Sequence, residues 1–256
     1  MTVEINGAQV YYEILGETGP TVVLLHGWGC STELMRPVAE ALTQDHRVLI
    51  PDFPGHGRSS PPPEPWGVPR YADCVLQLLR QTGFDPCSVV AHSFGCRVAA
   101  FLAAEHPDLF DRLVLTGAAG LKNEPSADAQ KRSARYQRGK RWAQRLGQVP
   151  GLSTLADQLQ EKLIQKYGSA DYKALSPEMR KTFNLVIGQD LRDYYARIRQ
   201  STLLVWGEND TATPLWMGQQ MEAMIPDCGL VVFEGASHFA YLEQLPRFRA
   251  ILRSFL

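Results

Sequence analysis

Three separated residues in this sequence have the types and the order that nucleophilic acyl chemistry requires: Ser93, Asp210 and His238. Serine is a weak nucleophile at neutral pH, so a base must take its proton as it attacks. Ser93 lies in Val89-Val90-Ala91-His92-Ser93-Phe94-Gly95, where a short β-branched run meets a helix-patterned one. A serine on such a small-x-Ser-x-small turn is expected in strained backbone geometry with its hydroxyl exposed. Ala91 and Gly95 are the small flanks, leaving room for the neighbouring strand and the helix.

Six histidines could supply the base, at 26, 46, 56, 92, 106 and 238, and His238 is the candidate. It stands in Gly235-Ala236-Ser237-His238-Phe239, after the last strand-like run and before the last helix-like one. His92 adjoins Ser93, but neighbours on a tight turn point apart, so it is expected near substrate rather than as the base. His46 and His106 sit at element ends and read as surface residues. The base needs a carboxylate to fix its tautomer. Asp210 follows the run Leu203-Leu204-Val205-Trp206, with Pro214 opening the next helix. Glu208 is its nearest competitor, while Asp52 and Asp73 fall in the wrong half of the chain.

A tetrahedral oxyanion needs two backbone N–H donors. Phe94, directly after Ser93, supplies one from a helix start. Trp28, in Leu25-His26-Gly27-Trp28-Gly29, supplies the other, with glycines on both sides to let its N–H turn inward. The expected substrate contacts are Trp28 and His92, with Leu155 and Leu159 from a later helical segment. Leu152, Leu155, Leu159 and Leu163 form one stripe, which could face a pocket or simply pack the helix.

These residues need a frame that gathers loops at one edge, and the rest of the chain supplies it. Gln9–Leu15 alternates as an antiparallel edge strand would. Thr21–Leu25, His46–Ile50, Ser88–Ala91, Arg112–Thr116, Thr202–Trp206 and Leu230–Phe233 are compact apolar runs suited to buried parallel strands. Between the earlier ones, Glu33–Leu42, Tyr71–Thr82 and Phe94–His106 carry helical spacing. The alternation predicts an α/β fold with a mostly parallel central sheet flanked by helices. It breaks at residues 121–200, which read as helices near Ser126–Leu146, Leu152–Tyr167 and Pro177–Ile198. The expected organisation is a core of 1–120 and 201–256 with a helical cap at 121–200.

Composition excludes several other classes. The 256 residues carry a formal net charge of -1, which gives no general attraction to nucleic acid or membrane. No stretch approaches the roughly 18 uninterrupted apolar residues of a membrane span. The N-terminus lacks a secretory pattern, and five cysteines without paired spacing fit a reducing cytoplasm. Neither a metal site nor a phosphate loop is expected, because the histidines are scattered and Gly27-Trp28-Gly29 lacks the lysine. No cofactor is expected. The charge is uneven, however. From Lys122 to Arg145 stand Lys122, Lys131, Arg132, Arg135, Arg138, Lys140, Arg141 and Arg145, against Glu124 and Asp128. Lys131, Arg135, Arg138 and Arg145 share one helix side, either a solvated face or a dock for an acidic partner.

Together these motifs resemble the α/β-hydrolase superfamily over nearly the whole chain outside the cap. Asp52-Phe53-Pro54-Gly55-His56-Gly57-Arg58-Ser59 is similar to the turn after that family's fourth strand, which implies a structural His56. His26-Gly27-Trp28-Gly29 and the next helix resemble the esterases that cleave the methyl ester of pimeloyl-acyl carrier protein. Ala91 and His92 stand where those enzymes have glycine and tryptophan. The superfamily's dehalogenases and epoxide hydrolases use an aspartate nucleophile, and Ser93 argues against both. The resemblance implies a serine esterase acting on a small-molecule ester through an acyl-enzyme, with an acyl carrier protein as a conceivable acidic partner. A carbon–carbon bond hydrolase, another acyl-transfer enzyme or a non-turnover receptor on this fold remains open.

Overall fold

Strands covered by helices on both faces must be apolar along their whole length, and the central runs of this chain are. The computed structural model describes residues 1–122, 127–148, 152–167 and 170–256. In chain order the first elements are β1 (Thr2–Ile5), β2 (Ala8–Leu15), β3 (Thr21–Leu25), α1 (Thr32–Glu40), β4 (Arg47–Pro51) and α2 (Val68–Thr82). They continue with β5 (Cys87–His92), α3 (Phe94–Glu105) and β6 (Phe110–Thr116). Then come α4 (Ala127–Gly147), α5 (Ser153–Tyr167), α6 (Ala170–Ala174), α7 (Pro177–Gly188) and α8 (Arg192–Tyr195). The chain closes with β7 (Ser201–Gly207), α9 (Leu215–Met224), β8 (Cys228–Phe233), α10 (Ala240–Glu243) and α11 (Leu245–Phe255).

The strands form one eight-stranded sheet in the order β1-β2-β4-β3-β5-β6-β7-β8. Pairings from β4 to β8 are parallel, and those of β1 with β2 and β2 with β4 are antiparallel. Alternate residues of each strand serve opposite faces. Val23, Leu25, Val89 and Leu113 pack with Leu78 of α2 and Val98 of α3. Val22, Leu24, Val90 and Val114 pack with Met35 of α1 and Phe248 of α11 on the other side. The mostly parallel α/β architecture read from the sequence is the one observed.

Two readings of the sheet and its adjoining loops change. Gln9–Leu15 is antiparallel but not the edge, because Thr2–Ile5 pairs outside it through a tight turn at Asn6-Gly7. That four-residue strand is too short to show a period. His46 is not a surface residue; it is 7% exposed. The β2–β3 turn closes over it, so tightly that a Cβ at Gly19 would lie 1.9 Å from the Asp45 carbonyl oxygen.

The chain divides into two compact units, Met1–Leu121 with Asn184–Leu256, and Lys122–Phe183. Residues 184–200, read from the sequence as cap, are packed with the sheet. The expected helix Pro177–Ile198 is in fact α7 and α8, broken after Gly188. In the second unit α4 and α5 pack together, and a Cβ at Gly139 would lie 2.8 Å from Leu163 Cδ2. The expected helix start at Ser126 lies outside the described residues. Ala156 and Ile164 are the buried residues of α5, whereas Leu155 of the predicted stripe is 53% exposed. Leu152, Leu159 and Leu163 are half-buried.

Candidate active site

Strand order reverses around β3 and β5, since β4 lies on one side of β3 and β5 on the other. Loops leaving the carboxyl ends of two such strands border a crevice. The loop after β3 is His26–Gly29, and the turn after β5 is Ser93. Leu25 is in register with Ala91, so the two loops start side by side.

Ser93 has φ 49° and ψ −106°, a left-handed conformation that a serine adopts only at a cost. Its surroundings hold it there. Its N–H donates to Thr116 O at 3.0 Å, and its carbonyl accepts from Cys96 N at 3.1 Å and Ala119 N at 3.3 Å. The small flank at Gly95 is obligatory, because a Cβ there would lie 2.3 Å from Leu25 O. Gly27 is under the same constraint from the opposite loop: its Cβ would lie 2.9 Å from His92 Cδ2 and 3.4 Å from Ser93 Cβ.

His238 and Asp210 are brought together by the loops after β8 and β7. His238 Nδ1 lies 2.8 Å from Asp210 Oδ2. The carboxylate is buried, and Ala212 N and Thr213 N each donate to its Oδ1 at 2.9 Å. Burial alone would raise the Asp210 carboxyl. Hydrogen bonds from His238 and Thr213 outweigh it and hold the group below its ordinary value. Glu208 is exposed and accepts from Gly235 N at 2.9 Å, a loop-closing contact.

One short backbone segment meets all three residues. Beyond its bonds to Ser93, a Cβ on Gly117 would lie 3.1 Å from His238 Nδ1 and 3.2 Å from Asp210 Oδ2. Gly117 also has φ 48°, so a glycine there is required twice over. The sequence reading did not single this residue out, although a glycine just past a buried strand is a visible signal.

His92 is 1% exposed, and its ring lies 4.7 Å from that of His238, between Phe239 and Tyr241. Its Nδ1 is 3.1 Å from Thr116 Oγ1. His92, expected as a substrate contact, is instead buried with its ring packed among those of His238, Phe239 and Tyr241. Trp28 is half-buried and meets Phe94 edge-on at 5.2 Å and His56 at 4.7 Å. His26, also not singled out, bridges the loops. Its Nδ1 donates to Gly27 O at 2.7 Å and its Nε2 accepts from Phe53 N at 3.0 Å, which fixes a neutral tautomer. Asp52 staples the same region, accepting from Thr32 N at 2.6 Å and Arg58 N at 2.8 Å.

Three of these histidines are held neutral. Burial, with His56 adding to it, pushes His26 down to about 3. Burial pushes His56 down to about 4, and burial with nearby His238 pushes His92 down to about 3. In the unfolded chain each takes a proton near pH 6.5. Between those limits the unfolded state binds more protons, so stability is full above about pH 6.5 and falls as pH falls below it. With all three contributing, the slope approaches about 4 kcal/mol per pH unit. Urea unfolding at pH 7.5, 6 and 5 measures it; a flat free energy over that range contradicts neutral burial.

The α/β-hydrolase fold family matches residues 20–245, and the chain belongs to it. It is 28% identical over 257 aligned residues to the pimeloyl-[acyl-carrier protein] methyl ester esterase of Chromobacterium violaceum, covering 91% of this chain and 92% of that one. A hydrolase from Pseudomonas aeruginosa superposes with a TM-score of 0.76 at 26% identity, over 100% of this chain and 97% of the other. A meta-cleavage product hydrolase from Pseudomonas fluorescens shares the fold, with a TM-score of 0.73 at 22% identity and coverage of 100% and 96%. The protein is an α/β hydrolase. Among the described residues, no helix is long and apolar enough to cross a membrane.

Proposed function

We propose that the protein hydrolyses carboxylic esters through an acyl-enzyme formed on Ser93. The observation that carries this reading is the buried Asp210–His238 pair at 2.8 Å, joined through residues 116–119 to a serine in strained geometry. Asp210 holds the His238 proton on Nδ1, which leaves Nε2 free to accept the Ser93 proton. Ser93 Oγ attacks the ester carbonyl while the N–H groups of Trp28 and Phe94 receive the developing oxyanion. His238 returns the proton to the leaving alcohol, and water repeats the cycle to release the acid. The ring of Trp28 borders the acyl group.

The insertion also supports an acidic partner. All seven lysines of the chain lie between Lys122 and Lys181. Lys122–Phe183 holds thirteen basic and six acidic residues, whereas the remaining sequence holds thirteen and twenty-one. Arg135, Arg138 and Arg145 are exposed, and Lys131 lies outside the described side chains. The esterase relative acts on an acyl-carrier-protein ester, and an acidic carrier fits this basic side.

A panel of p-nitrophenyl esters of graded chain length, an acyl-carrier-protein methyl ester and a vinylogous diketone tests both statements. Ester turnover with little carbon–carbon cleavage is expected; the opposite preference supports the carbon–carbon alternative. Contacts between exposed charges are screened over about 8 Å at physiological salt. KM for the carrier ester should therefore rise with salt while KM for a small neutral ester holds. Changing Arg135 and Arg138 together to Glu should remove the difference, and equal salt responses in the parent leave the basic side as solvated surface.

A further inference from the structure

One side chain contacts both members of the buried pair and the backbone segment that holds Ser93. Thr213 Oγ1 lies 2.8 Å from Asp210 Oδ2, 3.0 Å from Gly117 O and 3.3 Å from His238 Nδ1. It is 5% exposed, so water does not share these contacts freely. A hydroxyl has one proton and two lone pairs. That proton cannot serve Asp210 Oδ2 and Gly117 O fully at once. Two oxygens 2.8 Å apart repel unless a proton lies between them, so the shorter contact takes it. His238 Nδ1–H then points at Asp210 Oδ2, with Thr213 Oγ1 as a second, weaker acceptor beside it. Gly117 O, 3.0 Å away, is the hydroxyl's other neighbour.

We propose that Thr213 is a positioning residue for His238: its hydroxyl donates to Asp210 Oδ2, fixes the carboxylate's orientation and limits how strongly it holds the imidazolium. This rests on the proposed roles of Ser93, His238 and Asp210. A base that binds its proton too firmly returns it slowly to the leaving alcohol, so the hydroxyl tunes the second half of each proton transfer. The other titratable groups around the pair are accounted for. His92 on β5 faces His238 and is bonded to Thr116, Glu208 is bonded to Gly235, and Glu243 of α10 is bonded to Ser237. Tyr241 of α10 packs against His92.

Thr213→Val keeps the branched shape and the backbone N–H that donates to Asp210, and removes only the hydroxyl. The carboxylate, losing a donor, attracts the imidazolium more strongly. The acid limb of kcat/KM is therefore expected to move to higher pH. kcat should fall by about tenfold, one hydrogen bond's worth, with KM within about twofold. Thr213→Ser should return both to the parent values. Nitrogen-15 NMR of His238, which needs no turnover, should show the same displacement of its titration midpoint in the valine variant and its reversal in the serine variant. A valine variant that titrates like the parent, or merely melts earlier with an unchanged midpoint, overturns the proposal. An inactive parent whose His238 midpoint still moves with Thr213 sinks the esterase reading and leaves this one standing.

Discussion

Ser93→Ala is expected to lower ester turnover by about a millionfold while the protein folds as before. The alanine methyl is smaller than the hydroxymethyl group it replaces, and the backbone bonds to Thr116 O, Cys96 N and Ala119 N do not involve the side chain. Stability should hold or improve, since removing the chemistry leaves the strain at φ 49° but no unsatisfied buried group. A fluorophosphonate probe should label the parent at Ser93 and leave the variant unlabelled. Labelling at another serine would end the assignment. His238→Ala should be nearly as severe, because without a base the hydroxyl keeps its proton.

Asp210→Asn is expected to cost about ten-thousandfold. An asparagine can occupy the same space, but its amide N–H facing His238 Nδ1 favours the tautomer with the proton on Nε2. That tautomer cannot accept from Ser93. More activity should survive than in the serine variant, since the nucleophile and the oxyanion donors stay in place. Glu208→Gln serves as the comparison, because Glu208 is exposed and its carboxylate closes a loop onto Gly235. A silent Asp210→Asn beside a severe Glu208→Gln reverses the two roles. Full kinetics of both variants against one ester decide it.

The parallel strands were legible because burial on both faces leaves an uninterrupted apolar run, and the small flank at Gly95 was legible because a side chain there would meet Leu25 O. β1 was not, since four residues carry no period. The break between α7 and α8 was missed for a related reason. Helical spacing continues across Gly188, and what ends the helix is tertiary: Arg97 of α3 donates to Val186 O at 3.1 Å and Gln189 O at 3.0 Å. Leu155 shows the opposite failure. A regular leucine stripe implied a single buried side, but the side α5 buries is centred on Ala156 and Ile164, small and branched residues that the leucine pattern hides. In the candidate site, Asp210 and His238 could be found from chain order and loop position. The roles of His92, Thr213 and Gly117 could not, because each depends on loops from distant strands meeting at one point.

The helical insertion leaves the sheet after β6 and the chain re-enters at β7, and these two strands are adjacent and parallel. Within that connection, Lys122–Phe183, a unit of 62 residues, is thus bracketed by neighbouring strands that pair directly with one another. Loop-closure entropy grows only slowly with length, so longer or shorter intervening segments cost the sheet domain little. Under the proposed function, the reacting groups all come from loops outside that span. The insertion can therefore diverge, or be exchanged for another, while the proton relay is inherited intact. A chimera carrying the esterase relative's corresponding segment would be expected to keep the rate-pH profile of this chain and take on the donor's choice of acyl group.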